Sequence, residues 1–337
     1  MIENHSAIKG YDIIGDIHGC AEALLQLLEK LGYRDVNGIY RHSNRRAIFV
    51  GDIIDRGPGI RTALQIIRPM IDQGYAHIVL GNHEYNAIRF NKQIKQALLH
   101  GRDDPELKDF PRLMRLTRET ITQFSHYPHE WGDYVQWFSS LPLFLEGPGF
   151  RVVHACWDET LIRQFKQTEQ TNRLHPDFIL AAQDPHSFAG RFIDRLTRGT
   201  SIKLPEGMSF ESRDGFIRHF FRTKFWADDP QTYGDVVFQP DPLPFDLSKH
   251  QLASDHRDGL VQYSPAAVPV FIGHYWLKGR PEPLRHNIAC LDYSAVNFGR
   301  MTAYRFDGEA VLQPNKFVWV YVDRSHNPPH TDKSVIT

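Results

Sequence analysis

Three times within residues 11–84 a short apolar run breaks into a polar turn and then into a helical pattern. Tyr11-Asp12-Ile13-Ile14 runs into Gly15-Asp16-Ile17-His18-Gly19, after which residues 21–31 carry apolar side chains at 21, 24, 25, 28 and 31 and stop at Gly32. Residues 46–50 run into Gly51-Asp52-Ile53-Ile54-Asp55-Arg56-Gly57, followed by a helical stripe of Leu64, Ile67 and Ile71. Residues 76–80 run into Gly81-Asn82-His83-Glu84. Strand–turn–helix units in succession predict an α/β fold with a parallel sheet and helical crossovers. They also place each polar turn at the carboxyl end of a strand, the edge where such sheets hold ligands.

The rest of the chain supplies two more turns of this kind. Residues 85–140 read as helical, and the strand 150–153 ends at His154. Residues 268–272 form a strand that ends in Gly273-His274. Between them, residues 158–225 read as a helical insertion with a mild basic excess, and 228–267, rich in Asp and Pro, as an irregular connection. Strands are expected at 287–291, 301–306, 310–313 and 317–322, with Asp307-Gly308 as a hairpin turn. The organisation expected is one domain over 1–322 with an insertion at about 158–267, and a disordered polar tail over 323–337.

Composition narrows the class. The net charge of −1 implies no bulk attraction to nucleic acid or to a membrane. Cys20, Cys156 and Cys290 are odd in number and far apart, which argues for a reducing compartment and against a disulfide framework. No apolar h-region occurs in residues 1–10, and no run approaches ~18 apolar residues. The expectation is a soluble, cytoplasmic protein whose oligomeric state is open.

The ligand-type residues at the strand ends are Asp16, His18, Asp52, Asn82, His154 and His274. Six oxygen and nitrogen donors with no thiolate suit hard or borderline divalent metals. Six are too many for one ion with open positions; they suit two ions about 3.5–4 Å apart that share a carboxylate, for which Asp52 is the natural bridge. Mn²⁺ is the first expectation, with Fe²⁺, Zn²⁺, Ni²⁺ and Co²⁺ also compatible. A hydroxide bridging two such ions is a nucleophile near neutral pH, since bound water drops to a pKa of about 7. The positive charge of the centre, with Arg56 beside it, favours an anionic phosphoryl group. His83 sits next to Asn82 and is placed to protonate the leaving oxygen, and Asp55 is placed to hold its imidazolium form.

Taken together, Gly15-Asp16-x-His18-Gly19, Gly51-Asp52-x-x-Asp55-Arg56-Gly57 and Gly81-Asn82-His83-Glu84 resemble the calcineurin-like metallophosphoesterase family, and within it the phosphoprotein phosphatase branch with its diadenosine tetraphosphate hydrolases. The resemblance implies a β-sandwich of two mixed sheets flanked by helices. It implies Asp16, His18 and Asp52 on one metal, Asp52, Asn82, His154 and His274 on the other, His83 with Asp55 as the acid pair, and Arg56 on phosphate. Departures fall around this core. Ser294-Ala295-Val296-Asn297-Phe298 lacks the proline and tyrosine of the related loop, and His154-Ala155-Cys156 replaces His-Gly-Gly. Arg198, Arg213, Arg218 and Arg222 are all candidates for a second phosphate-binding arginine. The reading is a phosphomonoester hydrolase acting on a phosphorylated small molecule, nucleotide or phosphoprotein. The alternative is cleavage of a dinucleoside polyphosphate, with Trp157, Tyr275 and Trp276 as candidates for base stacking; a metal-bound scaffold is a remote third.

Overall fold

The structure is a computed structural model that describes residues 2, 8–100, 107, 109–204, 206–211, 217–238, 243 and 245–323. The tail expected to be disordered lies, from residue 324 on, outside these residues. The first polar turn joins β1 (Gly10–Ile14) to α1 (Ala21–Leu31), and β2 (Arg34–Val36) and β3 (Ile39–Arg41) bring the chain back to β4 (Arg45–Phe49). Next, α2 (Ile60–Asp72) crosses to β5 (Ala76–Ile78), and α3 (Asn82–His100), α4 (Phe110–Gln123) and α5 (Pro128–Phe138) follow. β6 (Phe144–Gly147) and β7 (Phe150–Val153) return to sheet. Three helices, α6 (Glu159–Glu169), α7 (Pro176–Ala181) and α8 (Phe188–Arg198), precede β8 (Thr200–Lys203), β9 (Phe210–Glu211), β10 (Ile217–Arg218) and β11 (Phe220–Thr223). Short helices α9 (Tyr233–Val236), α10 (Phe245–Lys249) and α11 (Ser254–Asp258) lead to β12 (Val270–Ile272), β13 (Ile288–Cys290), β14 (Asp292–Tyr293), β15 (Arg300–Phe306) and β16 (Phe317–Tyr321).

The fold is α/β, with two mixed sheets as expected. In the first, β1, β4 and β5 are parallel, β15 runs antiparallel to β1, and β14 and β16 pair with β15. In the second, of order β13-β12-β7-β6, only β6 is antiparallel. Period-two alternation makes the sandwich. Tyr11, Ile13, Ile48, Val50, Tyr304 and Phe306 of the first sheet pack with Phe150, Val152, Phe271 and Ala289 of the second. The intervening Ile14, Ala47, Phe49 and Ile78 join a second core with Leu24, Leu27 and Leu28 of α1 and Leu64 and Ile67 of α2. Both parallel sets therefore point their carboxyl ends at one edge, flanked by helices.

Three local readings need correction. Residues 310–313 are not a strand: the Leu312 N–H donates to the His286 carbonyl at 2.7 Å and the Gln313 N–H to the Tyr304 hydroxyl at 2.9 Å, so both leave the ladder. β15 and β16 consequently pair across residues 307–316 rather than a tight Asp307-Gly308 hairpin. A hairpin does form at Asn37-Gly38, whose φ values of 58° and 82° suit a two-residue turn and whose Asn-Gly pair is the sequence signal for one. Residues 158–267 are not simply helical then irregular. β8 pairs with β11 and β9 with β10, and Ile202, Leu204, Phe221, Tyr233 and Val236 form a small core of their own. Among the described residues no helix is long and apolar enough to cross a membrane.

Candidate metal centre

After β1, β4 and β12 the chain turns into loops that few side chains tolerate. His18, Asp52, Asp55, Arg56 and His274 have φ of 43°, 51°, 68°, 73° and 71°. Left-handed backbone costs roughly 1–2 kcal/mol at a non-glycine residue, so its concentration here marks a site held against local preference. The loops also touch backbone to side chain. A Cβ on Gly273 would overlap Asp16 Oδ1, and one on Gly81 would overlap Asp52 Oδ1.

Asp52 Oδ2 is the focus. His154 Nε2 lies 3.3 Å from it, His18 Nε2 3.6 Å and His83 Nε2 4.0 Å. The far side of two rings is already committed: His18 Nδ1 donates to the Ile54 carbonyl at 2.8 Å, and His154 Nδ1 to the Val50 carbonyl at 2.7 Å. Each ring therefore presents its Nε2 to Asp52, the arrangement that outer hydrogen bonds impose on metal-ligating histidines; burial would lower His154, but the Asp52 charge beside it holds it above the ordinary imidazole range. Donor atoms of His18, Asp52 and His83 lie within 4.8 Å of one another, as do those of Asp52, His154 and His274. Asp16 belongs to neither group; it stands beside them, accepting the His274 backbone N–H at 3.0 Å.

The chemistry of this donor set fits divalent cations. Burial pushes the Asp16 carboxyl well up, and the charges of Asp292 and Asp52 add to the push. Burial would raise Asp52 too, but His154, His83 and His18 hold it well below the usual carboxylate range. Burial pulls His18 and His274 well down, leaving both imidazoles neutral. The Asn82 amide shows the same shortage of protons. Its Oδ1 lies 3.2 Å from His154 Nε2; turned over, its NH₂ would stand 2.8 Å from His274 Nδ1 and 3.2 Å from His154 Nε2. An oxygen facing the lone pair of the neutral His274 ring is repelled unless a cation sits between them. Oxygen and nitrogen donors without a thiolate suit hard or borderline ions.

His83 is fixed from behind. Its Nδ1 is 2.6 Å from Asp55 Oδ2, and Asp55 Oδ1 accepts the Thr120 hydroxyl. Burial pushes Asp55 up to about 8 and pulls His83 down to about 3, so the pair shares one proton between Oδ2 and Nδ1 near neutrality. Wherever that proton sits, Nε2 carries the other hydrogen and aims it at the centre. Glu84 works as a strut. Its carboxylate accepts the backbone N–H groups of Asp52 and Ile53 at 2.8 Å each, Gly81 at 3.1 Å and Ile54 at 3.3 Å, tying the turn after β4 to the turn after β5. Glu84→Ala strips those buried donors of their acceptor. At about 1–3 kcal/mol per unsatisfied buried group, the expected destabilisation is about 3 kcal/mol or more, read as a lower midpoint in urea unfolding.

Two guanidiniums flank the centre. Arg56 Nη1 is 3.0 Å from His18 Nε2, and its head stacks 4.2 Å from the Trp276 ring. Arg222, on β11, has Nη1 3.3 Å from His274 Nε2. Of the other arginine candidates, Arg198 bonds Asn86 and Asp194, Arg218 is exposed on β10, and Arg213 lies outside the described residues. Of the aromatic candidates, Trp157 and Tyr275 are buried in the core and offer no stacking face; Trp276 is 37% exposed. Asp292 went unnoticed in the sequence. It is buried, it accepts the Trp276 N–H at 2.8 Å and the Ser294 N–H at 2.9 Å, and its charge reaches Asp16. Thr120 was equally silent; an apolar helix stripe gives no hint that one threonine faces Asp55.

Residues 11–274 match the calcineurin-like phosphoesterase family. The bis(5'-nucleosyl)-tetraphosphatase PrpE (asymmetrical) of Oceanobacillus iheyensis is 34% identical over 169 residues, 49% of this chain and 64% of that protein. Its counterpart from Halalkalibacterium halodurans is 31% identical over 172 residues, 50% of this chain and 65% of that protein. The chain thus spans a little under two thirds of the length of these relatives. A serine/threonine phosphatase structure from Saccharomyces cerevisiae superposes with a TM-score of 0.47 at 15% identity, covering 95% of this chain and 81% of the other. The family match begins in β1 and runs through His274; the chain belongs to the calcineurin-like phosphoesterase family.

Proposed function

We propose that the protein is a metal-dependent phosphohydrolase whose preferred substrate is a phosphomonoester. The observation that carries this reading is the convergence of His18, His83 and His154 nitrogens on one carboxylate oxygen, Asp52 Oδ2, with Arg56 and Arg222 on the flanks. Asp16, His18, Asp52, Asn82, His154 and His274 would hold two divalent cations, Mn²⁺ first among them. Such ions polarise the phosphoryl oxygens and lower the pKa of the attacking water toward about 7. The chain's own residues do the rest. Arg56 and Arg222 grip the non-bridging oxygens with planar forks. His83 delivers its Nε2 proton to the leaving oxygen as the P–O bond breaks, and Asp55 holds the ring and offsets the charge. On this reading residues 1–322 act as one domain, and the stretch 158–267 contributes Arg222.

A second reading is hydrolysis of a phosphoanhydride in a dinucleoside polyphosphate. It is supported by the activity for which the PrpE relatives are named and by the exposed ring of Trp276 beside Arg56. The deciding experiment is phosphate release with Mn²⁺ from para-nitrophenyl phosphate, diadenosine tetraphosphate, nucleotides and a phosphothreonine peptide. Turnover abolished by EDTA and restored by Mn²⁺ supports the hydrolase, and the best substrate separates the two readings. Two bound metals with no turnover on the whole panel would favour a scaffold. Arg222→Ala is expected to raise KM for the best substrate by about tenfold, the loss of one charge-assisted contact. An unchanged KM would remove Arg222 from the phosphate site.

A further inference from the structure

The turn after β12 sends two adjacent rings in opposite directions. Tyr275 drives inward, its ring centroid 4.7 Å from that of Trp226 and 5.1 Å from that of Phe238. Trp276, at φ 43°, turns outward and stays exposed. Its backbone is clamped by the segment that follows β13. The Trp276 N–H donates to Asp292 Oδ2 at 2.8 Å, and the Leu277 N–H to the Asp292 carbonyl at 2.9 Å. Ser294 closes the clamp: its hydroxyl donates to the Leu277 carbonyl at 3.2 Å, and its N–H to Asp292 Oδ1 at 2.9 Å. Asp292 is buried, so loosening the clamp would strand a buried carboxylate. The packing of this turn is done by Tyr275; the ring of Trp276 is held in place for something outside the core.

What that ring meets is Arg56. The guanidinium carbon lies 4.2 Å from the ring centroid, inside the ~6 Å range of a cation–π contact. Arg56 stands at φ 73° in the turn after β4, with Nη1 3.0 Å from His18 Nε2. The charges of Asp52, Asp292, Asp55 and Asp16 all act on it. Attraction toward several carboxylates settles where a positive charge sits, but it sets no orientation for the guanidinium plane. An aromatic face does, because a guanidinium stacked on it keeps its N–H edge for oxygen acceptors. Phosphate oxygens are gripped by that edge, through two parallel N–H donors. Orientation is therefore what the ring adds to a charge already drawn to the centre.

We propose that Trp276 is a positioning residue for phosphate recognition: its indole holds the Arg56 guanidinium in the plane that presents the N–H fork to the phosphoryl group. The proposal rests on the phosphohydrolase reading, and it has the ring act through Arg56 rather than on the organic part of the substrate. Arg56 would grip the same non-bridging oxygens in the ground state and in the transition state. Losing its orientation then removes uniform binding, which appears in KM and leaves kcat nearly unchanged.

The test uses the full chain with Mn²⁺ and two phosphomonoesters: glycerol 2-phosphate, which has no ring, and adenosine monophosphate, which has one. Trp276→Leu is expected to raise KM about tenfold for both, the size of a well-desolvated cation–π contact, with kcat within about twofold of the parent. Trp276→Phe keeps an aromatic face and is expected to recover most of that loss. If thermal unfolding shows that Trp276→Leu does not fold, Trp276→Gln, polar at an exposed position, takes its place. Calorimetric binding of inorganic phosphate reads the same contact without turnover. It should weaken about tenfold in Trp276→Leu and weaken no further when Trp276→Leu is added to Arg56→Ala. Losses that add in the double variant make the ring a structural support and overturn the proposal. So does a KM rise confined to adenosine monophosphate, which would make the ring a platform for the base, and so does Trp276→Phe as damaging as Trp276→Leu. A parent that hydrolyses nothing yet binds phosphate, more weakly in Trp276→Leu, keeps the positioning role and rejects the hydrolase reading. An active parent whose Trp276→Leu variant binds phosphate equally well rejects the positioning role alone.

Discussion

Asp52→Asn is expected to lose at least about a thousandfold in kcat and to bind no more than one metal ion per chain. Three histidine nitrogens lie within 4.0 Å of the single oxygen Oδ2, so this carboxylate is the shared element of both candidate ion sites. Outer-shell partners of metal ligands typically cost 10–100-fold when removed, and on the proposed reading Asp52 is a shared inner ligand, whose loss costs more. The substitution keeps the shape. Asp52 Oδ1 accepts the His83 N–H at 3.0 Å, and an asparagine oxygen can keep that bond while the negative charge and one acceptor disappear. Metal content by elemental analysis, alongside phosphate release, decides the matter. Two ions per chain and parental turnover in the variant would show that the centre does not depend on Asp52.

The second large effect is at His83. His83→Asn is expected to lower kcat by about 10²–10⁴ for substrates with poor leaving groups such as alkyl phosphates, the usual range for losing a general acid. The loss for para-nitrophenyl phosphate should be far smaller, because that leaving group departs without a proton. The pH profile carries the sign. A general acid works only while protonated, so activity falls as pH rises through the pKa of the pair, and burial pushes Asp55 upward. That alkaline limb should vanish in His83→Asn. Equal losses on good and poor leaving groups would instead make His83 a positioning residue.

Much of the placement was legible in the sequence because each strand end is a local event. Asp16, Asp52, Asn82, His154 and His274 each follow a short apolar run, and parallel strands of one sandwich must end on the same side. Which of the four arginine candidates stands beside the centre was not legible. Arg222 lies 52 residues from the His274 it faces, in a stretch whose strand pairing rests on four residues of β11 against β8. Nor could spacing tell the aromatics apart. Tyr275 and Trp276 are neighbours, yet the first is wholly buried among Phe225, Trp226 and Phe238 while the second turns out over Arg56. The positive φ values of His274 and Trp276 set that division, and nothing in their side-chain chemistry announces it.

Apolar periodicity and the glycine-flanked turns were enough, read alone, to determine an α/β chain with acceptor-rich turns at its strand ends. Both are short-range properties: side-chain alternation follows from the pleat, and a turn follows from a few φ, ψ pairs. The tertiary structure decided everything that depends on two distant segments meeting. It chose which nitrogen of each histidine faces Asp52, through carbonyls of Val50 and Ile54 on another strand's loop. It recruited Thr120 to Asp55 across 65 residues and the His274 N–H to Asp16 across 258. Orientation of this kind is set by hydrogen-bond partners and packing that only the folded chain brings within reach, because directional contacts act over about 3 Å and sequence separation carries no record of them.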